Sequence, residues 1–279
     1  MLDIAPADRT KLQRARGRAE VSFCQRGGLA RLERLHQSGC AKAMLPRVSG
    51  LRDAAPEVVF LNTAGGLTGG DRLGYGVELA AGTRVVATTQ TAERAYAASG
   101  AQARVRMRAQ VGQGARLDWL PQETILFDGA ALDRETRIEL DGDAQLLLCE
   151  TLVLGRAAMG ETVHRLRLSD RREVCRDGRP VLVDAVRIDD GVLARRSGAA
   201  LFGEARAMAL VALVAPGAED AVGPVRACLA ECACVAEASG WDGRCLIRLA
   251  ACDLWPLRQT LIRVLTQLRG TLPPRVWQI

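Results

Sequence analysis

Residues Ala101–Gln110 alternate without a break. Ala101, Ala103, Val105, Met107 and Ala109 share one parity, and Gln102, Arg104, Arg106, Arg108 and Gln110 share the other. A helix would scatter the apolar set around its circumference, whereas a strand gathers it on one face. The segment therefore reads as a half-buried strand with an arginine-lined wet face. Leu73, Tyr75, Val77 and Leu79 alternate in the same way, as do Leu166 and Leu168 against Arg165 and Arg167. Val58–Leu61, Leu146–Cys149 and Val181–Ile188 are more continuous apolar runs, which suit strands buried on both faces. Asp-Gly pairs at Asp128-Gly129, Asp141-Gly142, Asp177-Gly178, Asp190-Gly191 and Asp242-Gly243 punctuate the runs and suit hairpins. Many short strands with regular turns point to a sandwich, a barrel or a coil of β layers. Strands and helices do not alternate regularly, which argues against a doubly wound sheet.

The pattern changes after about Leu201. Residues 218–236 predict a helix with Val222, Val225, Leu229, Cys232 and Ala233 near one face. Leu246–Ala250 predicts a strand. Pro256 then opens a second helix, over 256–269, with Leu257, Leu261, Val264, Leu265 and Leu268 on its apolar face and Gly270 at its end. No internal repeat or long linker is legible. The expected organisation is a flexible N-terminal arm over residues 1–20, then one mostly-β domain over 21–279, β-rich to about residue 200 with a small C-terminal helical portion.

Composition removes several function classes. Hydrophobic residues make up 48% of the 279 positions, enough for a sizeable core. No apolar run approaches the roughly 18–20 residues of a membrane span, and residues 1–20 lack the apolar stretch of a secretory signal. The net charge of +6 rests on arginine, since lysine occurs only at Lys11 and Lys42. Such a balance suits acidic partners, although a GC-rich coding sequence also gives arginine for lysine. Aromatics are only 4% and interleave with no basic run, which disfavours nucleic-acid binding. Nine cysteines, an odd number without a regular framework, read as reduced thiols of a cytoplasmic protein.

Two segments draw attention for chemistry. Asn62–Asp71 carries two glycine pairs, Gly65-Gly66 and Gly69-Gly70, followed by Asp71. No Gly-Lys-Ser/Thr follows, so it is not a P-loop, and the alternating segment after it excludes a dinucleotide-binding turn. A structural turn, with Asp71 as its cap or as an acidic ligand, is what remains. Trp119–Gly129 places Glu123 beside an apolar strand, where a carboxylate is costly unless solvated, paired or ligating. Glu150, at the end of an apolar run, and Glu161 pose the same question, and Arg156 is a charge partner for any of them. His36 and His164 are the only histidines and form no local motif. Cys228 and Cys232 lie one helical turn apart, but Cys234 falls on another face, so the trio reads as small apolar thiols.

Taken in order, these segments resemble the UreD (UreH) family of urease accessory proteins. The resemblance is carried by Ala64–Asp71, by Thr88-Thr89-Gln90-Thr91-Ala92-Glu93-Arg94-Ala95-Tyr96, by Leu120–Gly129, by Glu150 with Leu154–Glu161, and by the ending Pro274-Arg275-Val276-Trp277-Gln278. It is looser in the N-terminal arm and over residues 205–272. It implies a mostly-β, layered, β-helix-like sheet fold with a small helical part. It also implies a non-enzymatic scaffold that binds UreF, which recruits the GTPase UreG, and docks on apo-urease. Nickel would cross an internal polar tunnel as an ion in transit, with no tightly bound cofactor.

A transfer path needs weak, exchangeable oxygen ligands rather than imidazole or thiolate clusters. Asp71, Glu123, Glu150 and Glu161, the acids in the matching segments, are the candidates for it. Gly65, Gly66, Gly69, Gly70, Gln90, Arg156 and Trp277 are candidates for shaping the fold around them. Two other readings compete. One is a β-rich binding module unrelated to urease. The other is a hydrolase using Glu123 and Glu150 as a carboxylate pair. Neither the Gly-x-Ser-x-Gly nor the His-Glu-x-x-His pattern occurs.

Overall fold

The computed structural model describes residues 13–46, 55–198 and 201–278. In chain order its strands begin with β1 (Arg16–Arg26), β2 (Leu29–Gly39), β3 (Ala41–Met44), β4 (Glu57–Asn62), β5 (Arg72–Leu79) and β6 (Arg84–Thr89). They continue with β7 (Glu93–Ala95), β8 (Ala103–Val111), β9 (Arg116–Leu120), β10 (Thr124–Leu126), β11 (Ala130–Leu140) and β12 (Gln145–Leu154). The last are β13 (Leu166–Arg176), β14 (Arg179–Asp189), β15 (Ala207–Val214), β16 (Val235–Trp241) and β17 (Arg244–Ala251). The helices are α1 (Asp190–Ala194), α2 (Val222–Leu229) and α3 (Leu254–Arg269).

The architecture is a layered, solenoid-like coil. From β5 to β12 each coil lays one strand in each of two stacked sheets. The seven-stranded sheet runs β14-β13-β11-β8-β5-β1-β2, and its strands β1, β5, β8, β11 and β13 are all parallel. The other sheet runs β16-β17-β15-β12-β9-β6-β4-β3, with β10 alongside β12 and β7 alongside β10. Four-residue corners join the sheets after β5, β8 and β11, and a glycine at positive φ sits in each: Gly82 (70°), Gly114 (68°) and Gly142 (54°). Each corner bonds to the next. The Gly82 amide donates to Gln113 O, the Gly114 amide to Asp143 Oδ1 and the Gly142 amide to Asp177 Oδ1. The chain thus contains a corner repeat that its residue types conceal, because Ala-Ala-Gly-Thr, Gly-Gln-Gly-Ala and Asp-Gly-Asp-Ala share little besides the glycine and the small buried last residue.

The first core lies between the sheets and is built from the inward parity of each strand, Phe60, Leu117, Leu132, Ile138 and Leu146 among it. The second lies where α2 and α3 cover the outer face of the larger sheet. Leu257, Leu261, Val264 and Leu265 meet Leu147, Val211, Ile247 and Leu249 there. The Asp253 side chain accepts from the Trp255 amide and caps α3, and Gly270 at φ 70° ends it. No helix among the described residues is long and apolar enough to cross a membrane.

Several sequence expectations need correction. Residues 16–20 of the expected arm are part of β1, paired on both sides with Ala19 fully buried; residues 1–12 of that arm lie outside the described residues. Val181–Ile188 is not buried on both faces. It belongs to β14, an edge strand whose Val183 is 49% exposed. The helix expected over 218–236 is a short 3-10 turn followed by α2, which ends at Leu229, and Val235 onward is strand. α3 starts two residues before Pro256, which sits in the first turn where its missing N–H costs nothing. Of the five Asp-Gly pairs, only Asp177-Gly178 and Asp242-Gly243 close hairpins, both residues of each at positive φ. Asp141-Gly142 is a coil corner, Asp128-Gly129 precedes β11, and Asp190-Gly191 opens α1.

Candidate functional site

The glycine loop Gly65–Gly70 joins β4 to β5 at one end of the sandwich. Its shape is fixed by contact. A Cβ on Gly66, at φ 147°, would overlap the Tyr96 ring and the Arg94 carbonyl, and a Cβ on Gly69 would overlap the Ala101 carbonyl. Asp71 fastens the far end of the loop. It is buried, Oδ1 accepts from the Ala15 amide and Oδ2 from the Thr68 amide, each at 2.8 Å.

Behind this loop a cavity of about 100 Å³ enters the space between the sheets. Gly65, Gln90 and Thr91 stand at its exposed end, while Trp119, Thr136, Arg134 and Glu150 form its buried floor. Phe60, Tyr75 and Trp119 make an aromatic wall, with Phe60 centroids 4.8 Å from Tyr75 and 6.1 Å from Trp119. Oxygen and amide groups of Asn62, Thr89, Gln90, Gln122 and Thr124 supply polar lining. A volume of this size holds several waters, as a polar cavity must if its groups are to be satisfied.

Glu93, on β7, faces this space near its mouth, beside the exposed Arg94. Its carboxylate accepts from Asn62 Nδ2 at 3.2 and 3.3 Å and from the Arg94 amide at 3.1 Å. Burial pushes its pKa up to about 7, with the Asp71 carboxylate adding to the rise against these hydrogen bonds. Near neutral pH its protonated and ionised forms are therefore both populated.

Glu150, on β12, terminates the floor and is not free. Oε1 accepts from Trp119 Nε1 at 3.1 Å and from the Thr136 hydroxyl at 2.6 Å. Oε2 accepts from Arg172 Nε at 2.8 Å and lies 3.3 Å from Arg134 Nη2. Burial alone would raise its pKa, but the Arg134 and Arg172 guanidinia outweigh burial and hold it well below the usual carboxylate range. Arg134 forks onto Asp170 with both bonds at 2.7 Å, and Arg172 bridges Asp170 and Asp184. Asp184 in turn accepts from Arg248, whose side chain reaches the surface. Three carboxylates and three guanidinia thus form a charge-balanced seam from the cavity floor to the outside.

Of the four candidate acids, only Glu150 lines the cavity. Asp71 sits just behind it and acts on Glu93 through its charge. Glu123 lies between β9 and β10, outside the cavity lining, and is 3.2 Å from Arg258, which also donates through Nη1 to Gln122 and through Nη2 to the Trp277 carbonyl. Glu161 folds its own loop, accepting from Arg156 and from the Asp128 amide, while Arg156 stacks on Phe127 at 4.5 Å. Gly65, Gly66 and Gln90 line the cavity. Trp277 is buried, and its Nε1 donates to the Leu120 carbonyl, pinning the C-terminus to the sheet that carries the site. Among the described residues, no three His, Cys, Asp or Glu side chains come together as a ligand set for a metal ion. Cys228, Cys232 and Cys234 are far from the cavity, against α3, where Cys234 Sγ reaches the Thr260 hydroxyl.

Sequence reasoning missed Glu93, Arg134, Asp170, Arg172 and Asp184. For Asp170 and Arg172 a signal was present. On β13 the inward parity reads Leu166, Leu168, Asp170, Arg172, Val174, and opposite charges interrupting an apolar face can only be buried as pairs.

The family described as UreD urease accessory protein matches residues 15–278 of this chain. The chain belongs to the UreD family. A protein named urease accessory protein UreD from Cereibacter sphaeroides (strain ATCC 17025 / ATH 2.4.3) is 56% identical over 96% of both chains. One of the same name from Paracoccus denitrificans (strain Pd 1222) is 53% identical over 96% of this chain and 94% of its own. Another, from Rhizobium leguminosarum bv. trifolii (strain WSM2304), is 45% identical over 97% of both. UreD membership therefore extends over the cavity, the seam and the C-terminal helices alike.

Proposed function

We propose that this protein is a non-enzymatic assembly factor for urease, a cytoplasmic scaffold that binds apo-urease together with UreF and UreG and conducts nickel to the urease site. The observation that carries the reading is the enclosed cavity with Glu93 near its mouth and Glu150 at its floor. Its lining offers a divalent cation carboxylate, amide and hydroxyl oxygens and room for waters. Oxygen ligands exchange quickly at a borderline metal such as nickel, whereas several imidazoles or thiolates would retain it. Glu93 takes up the cation when it gives up its proton, and at near-neutral pH both states are accessible. Glu150 stays with its guanidinium partners in the charge-balanced seam, so Glu93 is the exchangeable carboxylate of the pair. Nickel is cargo here, and no covalent step is assigned to any residue. Asp71, Glu123 and Glu161 act on the path indirectly, by holding the glycine loop, the C-terminus and the loop that follows β12.

The test is Glu93→Gln, which keeps the shape and removes the exchangeable charge. Co-expressed with urease and the other accessory proteins, the variant is expected to co-purify with them. Urease nickel content and activity should fall at least fivefold at limiting nickel. Full nickel content at every nickel concentration would remove Glu93 from the path. Loss of co-purification would move it from transport to assembly.

A further inference from the structure

The outer face of the seven-stranded sheet carries a second feature, on the side of the sheet opposite the cavity. Arg16 on β1, Arg72 on β5 and Arg104 on β8 are directly opposite one another in register, all exposed. Like charges on adjacent strands at the same level repel, and strands normally place an opposite charge between them. Along β8, Arg104, Arg106 and Arg108 follow at alternate positions on the same face. Arg106 is neutralised by Asp133 at 2.6 Å and Glu135 at 3.2 Å, and Arg18 pairs with Glu20. Among the described residues Arg16, Arg72 and Arg108 have no ion-pair partner within 4 Å, and Arg104 touches Asp133 only at that limit. These side chains wall a groove of about 740 Å³ in which Glu20 is the lone acid.

The floor of the groove gives an independent sign. Gly74 lies mid-strand on β5, between Arg18 and Arg106 of the neighbouring strands. It is not at positive φ, and a Cβ there would meet nothing closer than 3.8 Å. Neither conformation nor packing asks for glycine, and glycine weakens a strand interior. What it does is keep the floor low, and an unforced strand glycine commonly marks the close approach of another backbone.

We propose that this groove docks an extended acidic segment of a partner protein. Alternate residues of an extended chain repeat at about 6.8 Å, so carboxylates four positions apart meet Arg104 and Arg108 on either side of the already paired Arg106, with Arg72 and Arg16 level with Arg104 on the neighbouring strands. Arginine forks suit carboxylates in pairs. No aromatic side chain lies exposed in the groove to stack a base, which sets a single-stranded nucleic acid behind an acidic peptide. The surface is separate from the nickel cavity, and each reading stands or falls alone.

The experiment is fluorescence anisotropy of a labelled (Glu-Ser)5 peptide with the full-length protein in 50 mM salt, with decathymidylate as the competing anion. Binding weakened at least tenfold by raising salt to 300 mM is expected. Arg72→Glu/Arg108→Glu should abolish it, and Arg72→Gln/Arg108→Gln should weaken it about tenfold. Gly74→Val leaves every charge in place and fills the floor. It should lower affinity at least fivefold while the melting temperature holds or rises. No peptide binding, binding indifferent to all three variants, or tighter binding of decathymidylate than of the peptide would each overturn the proposal. Circular dichroism melts of each variant separate lost binding from lost folding.

Discussion

At Glu93 a side chain is asked both to lie in a protein interior and to carry charge, and the two demands meet near neutral pH. In the unfolded chain its pKa is that of a free glutamate, 4.5, and in the fold it is about 7. Between those values the folded state holds a proton that the unfolded state has lost, so stability falls as pH rises through the window. The contribution is on the order of 2 kcal/mol once the partial exposure of the carboxylate is allowed for. Glu93→Gln should flatten this decline, which urea titrations at pH 5 and pH 8 will read; an unchanged slope would mean that Glu93 is ionised throughout. The same residue shows where sequence reading stopped. Glu93 sits between Ala92 and Arg94 in a segment without periodicity, and only the closure of Asn62 and the glycine loop over it reveals an enclosed carboxylate.

Among the elements, those set by a long period-two pattern were legible. β5, β8 and the start of β13 follow the alternation of Leu73–Leu79, Ala103–Ala109 and Leu166–Leu168. α3 was legible because its apolar stripe spans four turns. The helix expected over 218–236 overran because Val222, Val225 and Leu229 keep helical spacing up to the point where pairing takes over. The Asp242-Gly243 hairpin requires β16 to match β17 in length, and that claims everything from Val235 onward. The coil corners were illegible for another reason. A corner is defined by one positive φ, and a lone glycine in a glycine-rich chain does not advertise it. Gly114→Ala isolates this term, since a Cβ there would meet nothing closer than 3.9 Å. The variant should lose about 1–2 kcal/mol by left-handed backbone strain alone. A loss below about 0.5 kcal/mol in chemical denaturation would show that the corner relaxes.

Across the whole molecule, the charged seam joins the two layers. Glu150 comes from one sheet, Arg134, Asp170, Arg172 and Asp184 from the other, and Arg248 from the first again. Removing one member leaves its partners charged, buried and unmatched. Glu150→Ala should therefore cost about 3–5 kcal/mol, measured as a lower urea midpoint with little change in slope. A cost near zero would mean that water enters from the cavity and solvates both guanidinia. The β-rich layered fold was readable from alternation and turns, but the seam depends on which parities face each other across the sandwich, and that is settled only by how the coils stack.

That stacking has one more consequence. The parallel strands of the smaller sheet sit level with each other, Arg72 beside Arg104 beside Asp133 beside Ser169, so every coil is the same rung repeated. A gain or loss of one complete rung would preserve all other pairings and displace the two ends by a single strand spacing of about 4.8 Å. The length of such a molecule along its stack can change only in whole steps. Its reach is counted rather than tuned.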